Sequence, residues 1–142
     1  EDKENRITSL QKAFDNLVHE RNTNTEMLQL MKAPDLFVSI LKPVETNSVY
    51  NGKIVASKIN NRGYMMLNNL PDLEESKIYQ LWVAYQGKFA SLGMLYPEGK
   101  EFIKLIDDIS LIPFGEQMQF ILTEEFIGGG QRPSRQVYLI GQ

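Results

Sequence analysis

Pro34 divides this chain between two hydrophobic periodicities that no single kind of secondary structure satisfies. Before it, Ile7, Leu10, Phe14, Leu17, Leu28 and Met31 recur at alternating three- and four-residue steps, with Arg21 and Asn24 at the two intervening seam positions. That spacing predicts a helix with an apolar seam. Proline has no amide hydrogen and disfavours helix in the residue before it, so the helix stops there. Residues 1–33 are read as one continuous helical arm, although Thr23 and Glu26 have the spacing of a capping box and would allow a break and restart. Met27, Leu28, Leu30 and Met31 surround more of the helix than a narrow seam needs, which predicts that the last turns pack on the domain beyond Pro34.

After Pro34, short β-like runs alternate with Gly, Pro and Asn turn signals, the grammar of an all-β domain over residues 34–142. The expected strands are Leu36–Leu41, Lys53–Ile59, Tyr64–Asn68, Ile78–Tyr85, Lys88–Leu95, Phe102–Ile106, Gln117–Thr123 and Gln136–Ile140. The links Asn60–Gly63, Gln86–Gly87 and Pro97–Lys100 are short enough for antiparallel hairpins, whereas parallel crossovers need more chain. The fold expected is therefore mainly β: an antiparallel sandwich of the Greek-key or immunoglobulin-like kind, about eight strands in all, preceded by an N-terminal helix. Within the fourth run, Tyr79, Leu81, Val83 and Tyr85 share one face and Gln80, Trp82 and Ala84 the other. Both faces are largely apolar, which marks a central strand.

Length and composition fit a single folded domain: 142 residues, 42% hydrophobic and 23% charged. Fifteen Lys and Arg against eighteen Asp and Glu give a net charge of −3 with no like-charge block, a poor match to a nucleic acid. The absence of cysteine excludes disulfides, thiolate metal sites and cysteine nucleophiles. No apolar run approaches the roughly 18 residues of a spanning helix. The chain opens on Glu1 without a charged-then-apolar leader, which reads as a processed or excerpted piece of something longer.

A search for chemistry yields no catalytic, cofactor-binding or metal-binding residue. His19, the one histidine, falls on the outward side of the helix, with no serine and carboxylate placed to form a relay. Ser91 precedes Gly93, but Phe89 stands where a nucleophile elbow needs glycine. Gly128–Gly130 are followed by Gln131, Arg132 and Pro133 rather than the Lys and Ser or Thr of a phosphate loop, and read as a flexible hairpin loop. The acid pairs Glu74–Glu75, Asp107–Asp108 and Glu124–Glu125 are split to opposite faces wherever they lie on strands, and read as solvated surface acids. Asp72, Glu74 and Glu75 lack the alternation and glycine of a calcium loop. Trp82 is read as core rather than as a stacking platform for sugars or bases.

The segment Asn69–Leu95 and the run Phe120–Ser134 carry a resemblance to the C-terminal domain of the anti-sigma-K factor family. In the first, Leu70, Pro71, Lys77, Tyr79, Gln80, Leu81, Trp82, Gly87 and Gly93 match in order a pattern of leucine-proline link, lysine, Tyr-Gln-Leu-Trp strand and spaced glycines. In the second, Phe120, Thr123, Glu125, Gly128, Gly129 and Pro133 match without a gap, and Val137–Gly141 resembles the closing strand and glycine. Departures are Glu124 in place of an apolar residue, Phe126 in place of proline and Ser134 in place of threonine.

The resemblance implies an extracytoplasmic, periplasmic-side regulatory domain, anchored through an upstream membrane span absent from this chain. A cytoplasmic segment, also absent, would bind and sequester a sigma factor, released when membrane-associated proteases cut the anchored protein in sequence. This domain would gate the first cut, and residues 1–33 would be the juxtamembrane stalk. Arg21 and Asn24 either fix the register of a paired stalk or mark a solvent-exposed monomeric helix; a weak homodimer through the seam is the expectation. The alternative function is a secreted or envelope β-sandwich that binds a ligand such as a glycan, with Trp82 exposed.

Overall fold

A computed structural model describes residues 8–13, 25–96 and 99–142; residues 8–13 and 25–31 are helical. Ile7, Phe14, Leu17, His19, Arg21, Thr23 and Asn24 lie outside the described residues. The strands are β1 (Phe37–Pro43), β2 (Asn51–Ser57), β3 (Arg62–Asn68), β4 (Lys77–Tyr85), β5 (Lys88–Leu95), β6 (Glu101–Leu105), β7 (Gln119–Phe126) and β8 (Val137–Gly141). A short 3-10 turn at Ile109–Leu111 follows β6, capped by the Asp108 carboxylate. The largest departure from the expected boundaries is β7, which runs on through Glu124 and Glu125. Ile78 and Tyr79 of β4 pair with Glu125 and Glu124, which carries the ladder past the expected end.

All eight strands join one antiparallel sheet in the order β5-β4-β7-β8-β1-β2-β3-β6. Two expectations are corrected by this order. The described strands form one curled sheet, a half-barrel, rather than the two faces of a sandwich. The Pro97–Lys100 link is no hairpin, because β5 and β6 stand at opposite ends of the sheet and β6 pairs with β3. Curling brings those ends together instead: the Asp107 amide donates to the Leu92 carbonyl at 3.2 Å, and the Lys104 ammonium donates to the carbonyl of Met94.

The curl encloses the main core, which draws on strands along the whole sheet: Tyr79, Leu81, Leu92, Phe120, Leu122, Leu139, Leu41, Ile54, Met65 and Leu67 are all essentially inaccessible. A bulge in the β4–β5 ladder explains one motif glycine. Leu81 pairs with Gly93 and Trp82 with Ser91, so Leu92 is the extra residue and turns into the core. Gly93 takes a φ of +149°, a conformation that a side chain rarely adopts.

The tyrosines at one end of the core carry a pH dependence. Tyr79 meets Tyr138 edge-on at 5.1 Å and donates its hydroxyl to the Pro71 carbonyl at 2.5 Å, which ties the Leu70–Pro71 link to the sheet. Burial, then the hydrogen bond to Glu124, pushes Tyr138 up to about 12, and burial followed by Tyr138 raises Tyr79 as well. Both phenols are harder to ionise when folded than at the roughly pH 10 of an unfolded tyrosine. Their stabilising contribution is therefore complete below about pH 10 and is lost as the pH rises through 12. An alkaline titration followed by tyrosinate absorbance and circular dichroism should show a late ionising phase coincident with loss of structure.

Candidate functional site

The outer face of the sheet, away from the core, carries two added pieces. One is the loop between β7 and β8. The other is the helical segment 25–31. Together they absorb most of the residues and motifs that stand out in the sequence.

The loop begins at Gly128 and Gly129, whose φ values of +99° and +79° suit glycine, and folds back over β4 and β7. A Cβ on Gly129 would lie 2.5 Å from the Met94 sulfur and 2.9 Å from Gln80 Oε1, so only glycine permits this approach. Gln80 clasps the loop: its Oε1 accepts from the Gly130 amide at 2.9 Å, while its Nε2 donates to Ser91 Oγ at 2.8 Å. Glu125, 8% exposed, holds the return limb by accepting the Ser134 amide at 2.9 Å. Thr123 donates its hydroxyl to the same carboxylate, and Trp82 Nε1 donates to Thr123 Oγ1 at 2.9 Å. Ser134 Oγ donates to the Glu124 carbonyl at 2.6 Å.

Every described buried side-chain nitrogen and oxygen has a partner, so this network is closed. The one hydroxyl–carboxylate contact in it, Thr123 with Glu125, is buried and engaged with Trp82 and Ser134. Among the described residues no cluster of acids or histidines could hold a metal ion. The expected flexible loop is thus a strap fixed at both limbs, and Glu125 is buried rather than solvated. The split of adjacent acids is as expected: Glu125 turns outward under the strap, while Glu124 turns inward, accepting from Tyr138 at 2.9 Å and standing 3.7 Å from Lys77. Lys77 also lies over the Phe126 ring at 4.0 Å.

Replacing Gln80 with leucine keeps volume but removes its bonds to the strap and to Ser91, leaving the Gly130 amide without its acceptor. The expected result is local loosening by about 1–3 kcal/mol. Amide exchange should accelerate at Gly130 while the β4–β7 ladder stays protected.

The second piece is held by an apolar plug and a few polar ties, among them the Asn60 side chain donating to the Gln29 carbonyl at 3.4 Å. Leu30 is inaccessible, inserted against Val55 of β2 and Tyr64 of β3, with Met27, Leu36 and Met66 around it. Glu26 accepts from Arg62 at 3.1 Å and from the Tyr64 hydroxyl at 3.2 Å. Beyond Pro34, Asp35 accepts the Ser57 hydroxyl at 2.6 Å and the Ile59 amide at 3.0 Å. Those bonds hold the Asp35 carboxyl below the usual carboxylate range, the Ser57 bond foremost. The last turns do pack on the sheet, as the spread of apolar residues predicted. The seam residues Leu10, Leu28 and Met31 are exposed, at 70%, 61% and 45%. The helix meets the sheet with a neighbouring face instead.

The sequence motifs thus fall into place structurally. Leu81 and Tyr79 are core, Gln80 sits beneath the strap, Trp82 is buried on the same outer face, Gly93 makes the bulge, and Gly128 and Gly129 turn the strap; Pro133 is half-buried in its return limb. A family model described as "Anti-sigma-K factor rskA, C-terminal" matches residues 7–137. The chain belongs to this family. No curated protein and no solved structure gave a match. As an anti-sigma-K factor C-terminal domain, the chain is a regulatory part of an anti-sigma factor, a class that acts on a sigma factor rather than by catalysis and that is membrane-associated. No helix among the described residues is long and apolar enough to cross a membrane.

Sequence reasoning placed Glu125 and Ser134 in the family pattern but missed their part in holding the strap, and it missed Glu26, Asp35, Arg62 and Tyr64 as ties between the helix end and the sheet. A signal existed for one of them: Thr123 and Glu125 are two apart on a strand and share a face, next to the tryptophan-bearing strand. Ser134 finds its partners 9 and 10 residues back, across the strap. For Glu26, Asp35, Arg62 and Tyr64 the partners lie 22 to 38 residues away and no local pattern announces them.

Proposed function

We propose that this domain lies on the extracytoplasmic side of a membrane-anchored anti-sigma factor. There it governs release of the sigma factor by holding or yielding the end of its own stalk to proteolysis. The observation that carries the reading is the seating of Leu30 in the Val55–Tyr64 socket, which couples the backbone before Pro34 to the folded sheet. A protease takes extended backbone, so a docked helix resists cutting to the extent that local opening is rare. The sigma factor would be held by a cytoplasmic segment upstream, and the first cut made by a membrane-associated, site-specific protease. No residue of this chain performs chemistry in that scheme.

The exposed seam residues Leu10, Leu28 and Met31 are available to a second copy, and we propose a weak homodimer through the stalk. Sedimentation equilibrium on the chain with its stalk tests it; a monomer at all concentrations would remove pairing from the scheme. The glycan-binding alternative loses its main support, because Trp82 is 1% exposed and offers no stacking surface.

The test of gating uses the full-length protein in cells. Immunoblots follow its fragments while a reporter reads the sigma factor's transcription. Undocking the stalk with Leu30→Asp should raise both a stalk-cut fragment and reporter output. Equal fragment and reporter levels in the variant and the parent would overturn the reading.

A further inference from the structure

Sulfur in this protein is confined to methionine: six residues, and no cysteine. Met65 and Met118 are in the main core, but the other four lie on the outer face or the helix laid over it. Met31 is 45% exposed and makes no part of the socket. Met27 on the helix and Met66 on β3 are half-buried and line the socket that receives Leu30. The contact that fixes the stalk is thus lined from both sides by a thioether within reach of solvent.

We propose that Met27 and Met66 are an oxidant-responsive modification site, whose conversion to sulfoxide by a peroxide releases the helical segment 25–31 from β2 and β3. In each event the thioether sulfur attacks one peroxide oxygen. The O–O bond breaks, an S–O bond forms, and the other oxygen leaves as water after proton transfer. Sulfur loses two electrons and the peroxide gains them, so no further reactant is needed. The product is a polar acceptor that must find a donor or be rehydrated.

The side chains packed in the socket offer no free donor. The lining is Leu30, Val55 and Leu36 with the Tyr64 ring, and the Tyr64 hydroxyl is already given to Glu26. A sulfoxide oxygen turned into this lining would go unpaired, and one turned out to water would pull its side chain from the socket, so both outcomes weaken docking. The exposed Met31 serves as a control within the same helix, because its oxidation adds a polar group where water already reaches. The site's chemistry stands on its own; its role in signalling rests on the stalk-gating reading.

The test uses the whole chain. Hydrogen peroxide is titrated in, peptide mass spectrometry locates each sulfoxide, and limited trypsin digestion follows cleavage after Lys32, an exposed residue whose amide still bonds back to the helix at Leu28 and Gln29. Oxidised protein should be cut there about tenfold faster or more, because cutting tracks the population of the open form. Methionine sulfoxide reductases should restore the slow rate. The volume-conserving double variant Met27→Leu, Met66→Leu should keep the slow rate under the same treatment, even with Met31 and Met94 oxidised.

Sulfoxide at both positions with an unchanged cutting rate would overturn the proposal. So would equal acceleration in the double variant, or oxidation of the pair only after global unfolding. A peroxide-dependent cut that leaves sigma-factor activity in cells unmoved would sink the gating reading and spare the latch.

Discussion

Replacing Trp82 with alanine is expected to cost about 3–5 kcal/mol, the range for deleting a large buried aromatic side chain. For a domain whose total stability is typically about 5–15 kcal/mol, that approaches unfolding at physiological temperature. Trp82 is 1% exposed yet lies outside the main core, on the outer face of the sheet beside Gln80. Removing it leaves a cavity on that face and takes away the donor to Thr123, the group that in turn donates to Glu125. Trp82→Phe separates the two effects, keeping most of the apolar volume while losing the indole N–H. It should cost about 1–2 kcal/mol, the scale of one buried hydrogen bond. Because Trp82 is the only tryptophan, urea denaturation of both variants is followed by circular dichroism. A midpoint for the alanine variant equal to the parent's would mean that Trp82 is not enclosed at all.

The same residue shows how far the sequence could be read. A strand apolar on both faces has to be covered twice, and that was legible in Tyr79–Tyr85 without any structure. What covers its second face was not legible. A second sheet was the natural inference, since most antiparallel sheets with two apolar faces pack against another sheet. Here a glycine strap covers one end of that face and a helix covers the other end of the sheet. A sheet that curls on itself uses its concave side as core, so the alternation pattern of its strands is the same as in a sandwich. Only the pairing of β3 with β6 and the meeting of β5 with the chain after β6 distinguish the two, and these are long-range contacts that leave no local trace.

The glycines illustrate a second limit. Three in a row signalled a loop, and a loop it is. Its fixity comes from Gln80 and Glu125, one some 50 residues earlier in the chain. Glutamine on a buried strand face and a Thr-x-Glu at a strand end are each unremarkable alone. They acquire meaning only when β4 and β7 are known to be neighbours, with Gln80 directly opposite Thr123. The family pattern had already recorded these residues together, and the geometry supplies the reason: they are the two ends of one clasp.

Replacing Leu30 with aspartate is expected to undock the helical segment and leave the sheet folded. Truncating a buried leucine to alanine typically costs about 2–5 kcal/mol, and a carboxylate in the same socket adds desolvation to that loss. The cost cannot exceed the free energy of docking, because the segment escapes by leaving the sheet rather than by unfolding it. The polar ties to the sheet are few: Glu26 with Arg62 and Tyr64, the Asn60 side chain donating to the Gln29 carbonyl at 3.4 Å, and Asp35 beyond Pro34. The Glu26–Arg62 pair is weak, with both side chains about two-fifths exposed to solvent. Asp35 is the firmer tie, accepting from both Ser57 and Ile59, and it lies beyond Pro34, where it fixes the entry to β1 and not the helix. Undocking should therefore stop near Pro34. Amides of residues 30–33 should exchange by about two orders of magnitude faster, the equivalent of roughly 3 kcal/mol, while those of β1 and β2 remain protected. Should the ladder between β1 and β2 open together with the helix, the stalk and the sheet would be one cooperative unit. A cut in the stalk would then require the whole domain to unfold, and local undocking could no longer be the event that exposes it.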